Sequence, residues 1–250
     1  MNYPHKTEEE DRIRCGSEVD VELLTELFKK LEYEIYTNCC ITDIQDNKTL
    51  EKHISGYKKN LVSSKAHSAI IIFMGHGHNH EIELTGKNPS SGGSNYANIY
   101  HDIVQPFSNK SFPKFEKKPK VFIFESCQNF AISDYSACLK MQNDIPSDIL
   151  ICLPALPGFS AYRNKTQGSL FMHYLVKIMM NHAHNMHMVE LMGKIQKHIA
   201  DEILKSKSQA VSISHWASFL FSKFYLLPQK NNDLPKLVGQ DEGIEDMDET

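Results

Sequence analysis

Three short runs of consecutive apolar residues mark the central part of the chain. They are Ile70 to Phe73, Val121 to Phe124 and Ile149 to Leu153. An apolar run of this length, without alternating polar positions, is typical of a strand that is buried on both faces of a sheet. Two further segments, Tyr33 to Tyr36 and Phe219 to Leu227, are also predicted to be strands.

Segments with helical spacing of apolar residues lie before, between and after these runs. In the first of them, Ser17 with Asp20 three residues later resembles a helix cap. Because short apolar strands alternate with amphipathic helices, the pattern predicts an α/β fold, with a mostly parallel sheet covered by helices on both faces. The predicted helices are Ser17 to Leu31, Thr49 to Leu61, Ala97 to Phe107, Ser169 to Met180 and Met188 to Leu204.

Composition narrows the class of protein. The chain has 250 residues, of which 41% are hydrophobic, which is enough for one sizeable core in a single domain or in two tightly joined halves. A net charge of −4 argues against a nucleic-acid or anionic-membrane partner. The first residues, Met1 to Arg14, are too polar for a secretory signal, and no apolar run approaches a membrane span.

The cysteines indicate the compartment. The spacing of the six cysteines is neither a CxxC pattern nor the framework of a small secreted fold. We therefore expect free thiols in a reducing compartment, which is most simply the cytoplasm. The alternative, that the even number of cysteines conceals disulfides, is weakened because the chain shows no secretory signal.

Two of the predicted strands end in residues with reactive side chains. Ile70 to Met74 continues into His76 and Gly77, and Val121 to Phe124 is followed by Cys127. If the strands are parallel neighbours, their carboxyl ends meet at one crevice, where an imidazole can activate a thiol. Backbone amides there can stabilise an oxyanion. On spacing alone, a buried structural cysteine with an incidental histidine explains the pattern equally well.

Four motifs add a family resemblance. Arg14 to Asp20 resembles the Arg-x-Gly-Thr-x-x-Asp motif of caspases, and Ile70 to Gly77 resembles their strand ending in His-Gly. Lys118 to Cys127 is similar to their run ending in Gln-Ala-Cys-Arg-Gly. Leu156 to Asn164, followed by Gly168-Ser169, resembles the small-subunit loop with its Ser-Trp-Arg signature. The motifs occur in the family's order and cover most of residues 14–228.

The resemblance implies a cysteine endopeptidase that cleaves after aspartate and acts in apoptosis. His76 and Cys127 match the catalytic dyad, and the amides of Gly77 and Cys127 match the oxyanion donors. Arg14 and Arg163 match the arginines that bind the aspartate on the amino side of the cleaved bond, called P1. The expected partners are protein substrates with a P1 aspartate, and no metal or cofactor is implied.

The remaining implied contacts concern the next subsite and subunit association. Tyr162 stands where the family has a tryptophan lining that subsite, although ordinary core packing is nearly as good an explanation. Family members pair through their last strand, so a homodimer, or a heterodimer with another caspase, is expected through Phe219 to Leu227. Asp134, in a linker, is either a maturation cleavage point or a solvated loop residue.

The sequence also departs from the family pattern. Glu125 replaces a glutamine in the P1 pocket, and a carboxylate there would compete with the substrate for Arg14 and Arg163. The penalty shrinks if Glu125 stays protonated. Gln128-Asn129 and Leu170 replace an Arg-Gly pair and an aromatic residue. Residues 1–13 also lack the apolar first strand of the family, which predicts a sheet without it.

The domain organisation follows from these matches. We predict a polar amino-terminal segment, a large-subunit-like part, a linker, a small-subunit-like part and an acidic, disordered tail. With no adaptor prodomain in view, the chain resembles executioner-type or decoy members. The predicted amino-terminal segment is 1–13, the large-subunit-like part 14–129, the linker 130–145, the small-subunit-like part 146–228 and the tail 229–250.

Two other functions compete with a peptidase. His76, His78 and His80 alternate and can face one side of a strand, as in a zinc site, but the carboxylate such a hydrolase needs is missing at Asn79. Alternatively, a catalytically weak or inactive homologue would bind and regulate another caspase. The intact dyad, with Cys127 present, favours the peptidase.

Overall fold

The computed structural model describes residues 14–36, 41, 44–78, 80–87, 94–127, 147–156, 159–206 and 214–227. Four α-helices lie in these residues: α1 (Ser17–Lys30), α2 (Asn47–Ser63), α3 (Leu170–His182) and α4 (Met188–Ser206). The strands are β1 (Ala69–Met74), β2 (Gly77–His78), β3 (Glu81–Lys87), β4 (Ser94–Asn98), β5 (Lys120–Glu125), β6 (Ile149–Leu153), β7 (Arg163–Asn164), β8 (Gly168–Ser169) and β9 (His215–Ser218).

Over the described residues, the main sheet has four strands in the order β1-β5-β6-β9. The first three are parallel, and β9 runs antiparallel to β6. Every residue of β5 and β6 is buried, because each of these strands has a neighbour on both sides and helices above and below. The three apolar runs are therefore strands of one sheet, as predicted.

Alternating side chains of β5 divide the interior into two cores. Val121 and Ile123 point into a core formed with α1, α3 and α4. Phe122 and Phe124 point into the opposite core, formed with α2 and the segment after β4. This alternation follows from the two-residue period of a strand. The predicted α/β architecture, with helices on both faces, is confirmed.

The sheet margin next to β1 differs from the prediction. Ala69 is buried, but the other β1 residues are only half-buried, because among the described strands β1 pairs with β5 alone. The predicted strand Tyr33 to Tyr36 is wrong, since these residues form no strand and none of the described strands pairs with them. Instead the Tyr33 amide donates to the Phe28 carbonyl and its hydroxyl donates to the Leu226 carbonyl, which closes the end of α1 against the core.

Two more predictions are corrected. The predicted helix Ala97 to Phe107 is a π-helix, Ile99–Val104, followed by a 3-10 turn. Asn98, the last residue of β4, caps it by accepting from two backbone amides. The predicted strand Phe219 to Leu227 is also wrong, because the chain pairs with β6 earlier, through β9.

Several predictions cannot be compared with the structure. The linker, the tail, the first 13 residues and Gln128-Asn129 lie outside the described residues. Within the part of the chain that is described, none of the helices has the length and apolar character needed to traverse a bilayer.

Candidate active site

The two predicted reactive residues, His76 and Cys127, lie just beyond the ends of two neighbouring parallel strands. Met74 in β1 pairs with Glu125 in β5, and the Gly75 amide donates to the Glu125 carbonyl at 3.1 Å. His76 and Cys127 each come two residues after this couple. The structure therefore brings them to the same end of the sheet, where the crevice of an α/β fold lies.

Gly77 shows how closely the two segments approach. A Cβ atom at this position would lie 2.9 Å from the Ser126 Cβ and 3.2 Å from the Cys127 carbonyl oxygen. It would also lie 2.6 Å from the Glu81 carbonyl oxygen in β3, so only glycine fits. Cys127 is a free, half-buried thiol beside this backbone.

Arg14 joins the ends of both strands. Its Nη1 donates to the carbonyl oxygens of Gly75 and Glu125, the latter at 3.0 Å, and its Nε donates to the Ser17 hydroxyl at 3.2 Å. Burial, helped by the like charge of Arg163, lowers the pKa of Arg14 to about 10, so the guanidinium remains charged at neutral pH. The predicted pocket arginine thus also has a structural task.

Arg163 and Tyr162 come from a short hairpin before α3. Arg163 in β7 pairs with Ser169 in β8, and the turn is closed by the side chain of Asn164, which accepts from two backbone amides. The Tyr162 carbonyl accepts from the amide of Leu170, and the Tyr162 side chain is exposed. This exposure disfavours the core-packing explanation for Tyr162.

Asp20 belongs to the site, and sequence reasoning missed it. The proposed cap at Ser17 is wrong, because the N-cap residue is Gly16, in a left-handed conformation, with no side-chain cap. Asp20 instead accepts from the Ser169 amide at 2.9 Å and is fully buried. Burial raises its pKa, against the bond from Ser169 and the attraction of both arginines. Its position in the same motif as Arg14 was the available signal.

Replacing Gly168 by alanine is expected to destabilise the protein by about 2 kcal/mol or more. Gly168 has φ +83°, and an added Cβ would lie 2.3 Å from the Asp20 Oδ1 atom. The left-handed backbone costs a residue with a Cβ about 1–2 kcal/mol, and the clash adds to it. Urea unfolding measures the effect.

The matched control is Gly193→Ala in α4. An added Cβ there would meet only the Trp216 ring, at 3.9 Å, and alanine favours a helix interior over glycine. We expect unchanged or higher stability for this variant. Equal losses in both variants would contradict the account of the Gly168 turn.

Glu125 is the most unusual group of the site. Its side chain is 1% exposed, and its Oε2 atom has no hydrogen-bond partner among the described residues. Burial raises the pKa of this carboxyl group to about 8, with Arg14 opposing and Asp20 adding to the rise. Glu125 is therefore mainly protonated at neutral pH. This favours the case in which its penalty on the binding of a P1 aspartate is small.

The Glu125→Gln variant is expected to gain stability over the wild type as the pH rises. The unfolded carboxyl ionises near its usual pKa of 4.5 and the folded one near 8. Between these values ionisation favours only the unfolded chain, so the wild type loses stability with rising pH, by up to about 1.4 kcal/mol per unit. Denaturant unfolding at pH 5 and 7.5 measures this. A pH-independent difference between the proteins would contradict it.

The histidines considered for a metal site are distributed differently from the prediction. His78 ends β2 and lies 3.9 Å from a Glu81 carboxyl oxygen, whereas His80 is buried in a turn with φ 60°. They do not share one strand face. Across the described ranges, no three histidine, cysteine or acidic side chains are grouped so that they could hold a metal ion.

Comparison with known proteins agrees with this geometry. The caspase domain family model matches residues 1–225. Caspase-1-A of Xenopus laevis is 24% identical over 231 residues, covering 86% of this chain and 58% of the relative. Caspase-3 of Bos taurus is 24% identical over 205 residues, covering 76% and 66%. The chain thus spans about three-fifths to two-thirds of these relatives' length.

The fold has a solved counterpart. A crystal structure of caspase-1 from Spodoptera frugiperda superposes with a TM-score of 0.71 at 19% identity, covering 91% of this chain and 88% of the other. At this identity the likeness establishes the architecture. The family model, however, matches far more than half of the sequence. Together with the four motifs and their assembly at one end of the sheet, this match shows that the chain belongs to the caspase family.

Proposed function

We propose that the protein is a cysteine endopeptidase that cleaves peptide bonds after aspartate. The supporting observation is that Met74 pairs with Glu125 across neighbouring parallel strands. His76 follows Met74 by two residues, and Cys127 follows Glu125 by two residues. This arrangement supports a site in which a half-buried thiol and an imidazole act together, next to a charged guanidinium from Arg14.

In the proposed mechanism, the Cys127 sulfur attacks the carbonyl carbon of the scissile bond. His76 takes the thiol proton and gives it to the departing amine, which leaves a thioester that water hydrolyses. The backbone amides of Gly77 and Cys127 donate to the oxyanion. The tight packing at Gly77 supports this role, because it holds the two amide-bearing segments together.

Arg14 and Arg163 hold the P1 carboxylate in this proposal. A planar guanidinium offers paired donors to a carboxylate and keeps its charge when buried. Arg14 is fixed by two strand-end carbonyls, and Arg163 is held by the β7–β8 hairpin. Tyr162, exposed beside Arg163, lines the neighbouring subsite.

A role in apoptosis, a cytoplasmic location and a dimer complete the proposal. The strand available for pairing is β9, which among the described strands has β6 as its only neighbour. Phe219 and Phe221 follow it with exposed rings. For this reason we now propose that the dimer contact lies at β9 and the residues next to it, instead of along the whole segment Phe219 to Leu227.

A peptide library tests the proposed activity. The purified protein should cleave peptides with aspartate enriched at P1, and an inhibitor that alkylates Cys127 should stop it. A second function, binding and regulating another caspase without turnover, is favoured by one feature, the buried carboxyl of Glu125 in the pocket. Absence of cleavage for every peptide, with stable binding to a second caspase, would replace the first proposal by this one.

A further inference from the structure

Four ionisable side chains lie together beside the strand ends, where Asp20 and Glu125 are buried and the two arginines are half-buried. Arg14 and Asp20 come from the start and first turn of α1, Glu125 ends β5, and Arg163 lies in β7. The cluster is held by the bond from Arg14 to the Glu125 carbonyl and by the bond from the Ser169 amide to Asp20. We call it the P1 cluster.

The charge of the P1 cluster depends on one proton. Two guanidinium groups and the Asp20 carboxylate leave one net positive charge when Glu125 is protonated. If Glu125 ionises, the sum is zero. An arriving aspartate side chain then neutralises the cluster in the first case and leaves an uncompensated negative charge in the second, which is costly in a buried site.

Direct ion pairs do not compensate for this cost. Among the described residues, neither Arg14 nor Arg163 forms an ion pair with the Glu125 carboxyl group. Arg14 directs its Nη1 to backbone carbonyls instead. The buried Oε2 atom of Glu125 has no hydrogen-bond partner among the described residues, and the charged form is favoured by Ser169 and the attraction of the two arginines, which do not outweigh burial.

We propose that Glu125 makes P1 recognition proton-linked. The pocket prefers aspartate over asparagine when Glu125 is protonated, and this preference is lost when Glu125 ionises. A protonated carboxyl can donate a hydrogen bond to the substrate carboxylate, whereas an ionised one repels it. This inference rests on the proposed function, because it concerns the same pocket. It adds that substrate choice depends on pH.

The surroundings of Glu125 support a transition in the range of neutral to mildly alkaline pH. The groups that face it are Arg14 and Asp20 from the α1 side, and Arg163 and Ser169 from the β7–β8 hairpin. Cys127, two residues further along, also interacts electrostatically with Arg14. Burial raises the pKa of Glu125 to about 8, with Asp20 adding to the rise and Arg14, Arg163 and Ser169 opposing it.

Matched peptides with aspartate or asparagine at P1 test this inference. They are nearly isosteric, and only aspartate is charged between pH 6 and 9. We expect the ratio of their kcat/KM values to fall in the wild type by up to tenfold per pH unit above about pH 8, and to stay flat in Glu125→Gln. Ionisation of the dyad cancels in this ratio. A flat wild-type ratio, or an equal fall in Glu125→Gln, would overturn the inference.

Binding to the Cys127→Ala variant separates this inference from the proposed activity. Fluorescence anisotropy with labelled peptides that end in aspartate or asparagine should show the same pH-dependent ratio of affinities, lost when Glu125→Gln is added. If the wild type cleaves nothing but the binding ratio changes with pH, the activity is rejected and the pocket stands. If neither peptide binds, or the ratio is constant, the proton-linked pocket is rejected.

Discussion

Replacing Cys127 by alanine will abolish peptide cleavage and leave the fold intact. The thiol is the group that forms the covalent bond in the proposed mechanism, and removing a nucleophile of this kind costs a hydrolase on the order of 10⁶-fold in kcat. Cys127 is half-buried at a strand end and belongs to neither hydrophobic core. Steady-state kinetics should show a loss of at least about 10⁴-fold, with an unchanged denaturation midpoint.

Cys15→Ser is the matched control for this experiment. Cys15 is also a free cysteine, but it is exposed and makes no catalytic contact in the proposal. The variant should retain turnover. Cleavage that persists in purified Cys127→Ala, at a rate proportional to enzyme concentration, would reject the assignment of the nucleophile.

Arg14→Lys is expected to lower kcat/KM for P1-aspartate peptides by about 100-fold. Arg14 bonds two strand-end carbonyls, and in the proposal its charge binds the P1 carboxylate. A lysine has a single ammonium group and cannot reproduce the planar fork, and each charged hydrogen bond lost costs about 1.5–3 kcal/mol. The conserved positive charge would not compensate.

The readout must separate recognition from reactivity. Alkylation of Cys127 by iodoacetamide, followed by mass spectrometry, requires the thiol but no P1 contact, so Arg14→Lys should change it little. A variant that cleaves aspartate peptides at the wild-type rate would show that charge alone, and not the guanidinium shape, is needed. Slow alkylation as well as slow cleavage would indicate that the strand ends have shifted.

The central strands were predictable because their apolar composition indicates that they are buried. β5 and β6 have neighbours on both sides, so nearly all their side chains are apolar, and the residues that follow β1 and β5 could be assigned to one crevice. The strand at the other margin was not. β9 mixes polar and apolar residues. In the more apolar segment Phe219 to Leu227, Phe219 still bonds to Ile149 of β6, but Phe224 and Leu226 pack against the core and the segment forms no strand.

The parts of the site that escaped prediction depend on long-range contacts. Asp20 binds the Ser169 amide 149 residues away, and no local pattern announces that pairing. The proton on Glu125 is a similar case. Its identity as an acid was visible in the sequence, but its protonation follows from burial, which only the assembled fold determines.

The position of β1 has a consequence for how the site is lost on heating. Along the described sheet, β5 is enclosed on both sides, whereas β1 has one partner and half-buried residues. Backbone amides at such a margin open by local fluctuations, while those of an enclosed strand exchange with solvent only through global unfolding. The imidazole of His76 therefore follows a strand that opens readily, whereas the sulfur of Cys127 follows a strand that opens only when the whole protein unfolds. Heating should therefore separate the imidazole from the thiol, and end the proposed catalysis, several degrees below the temperature at which the whole protein unfolds.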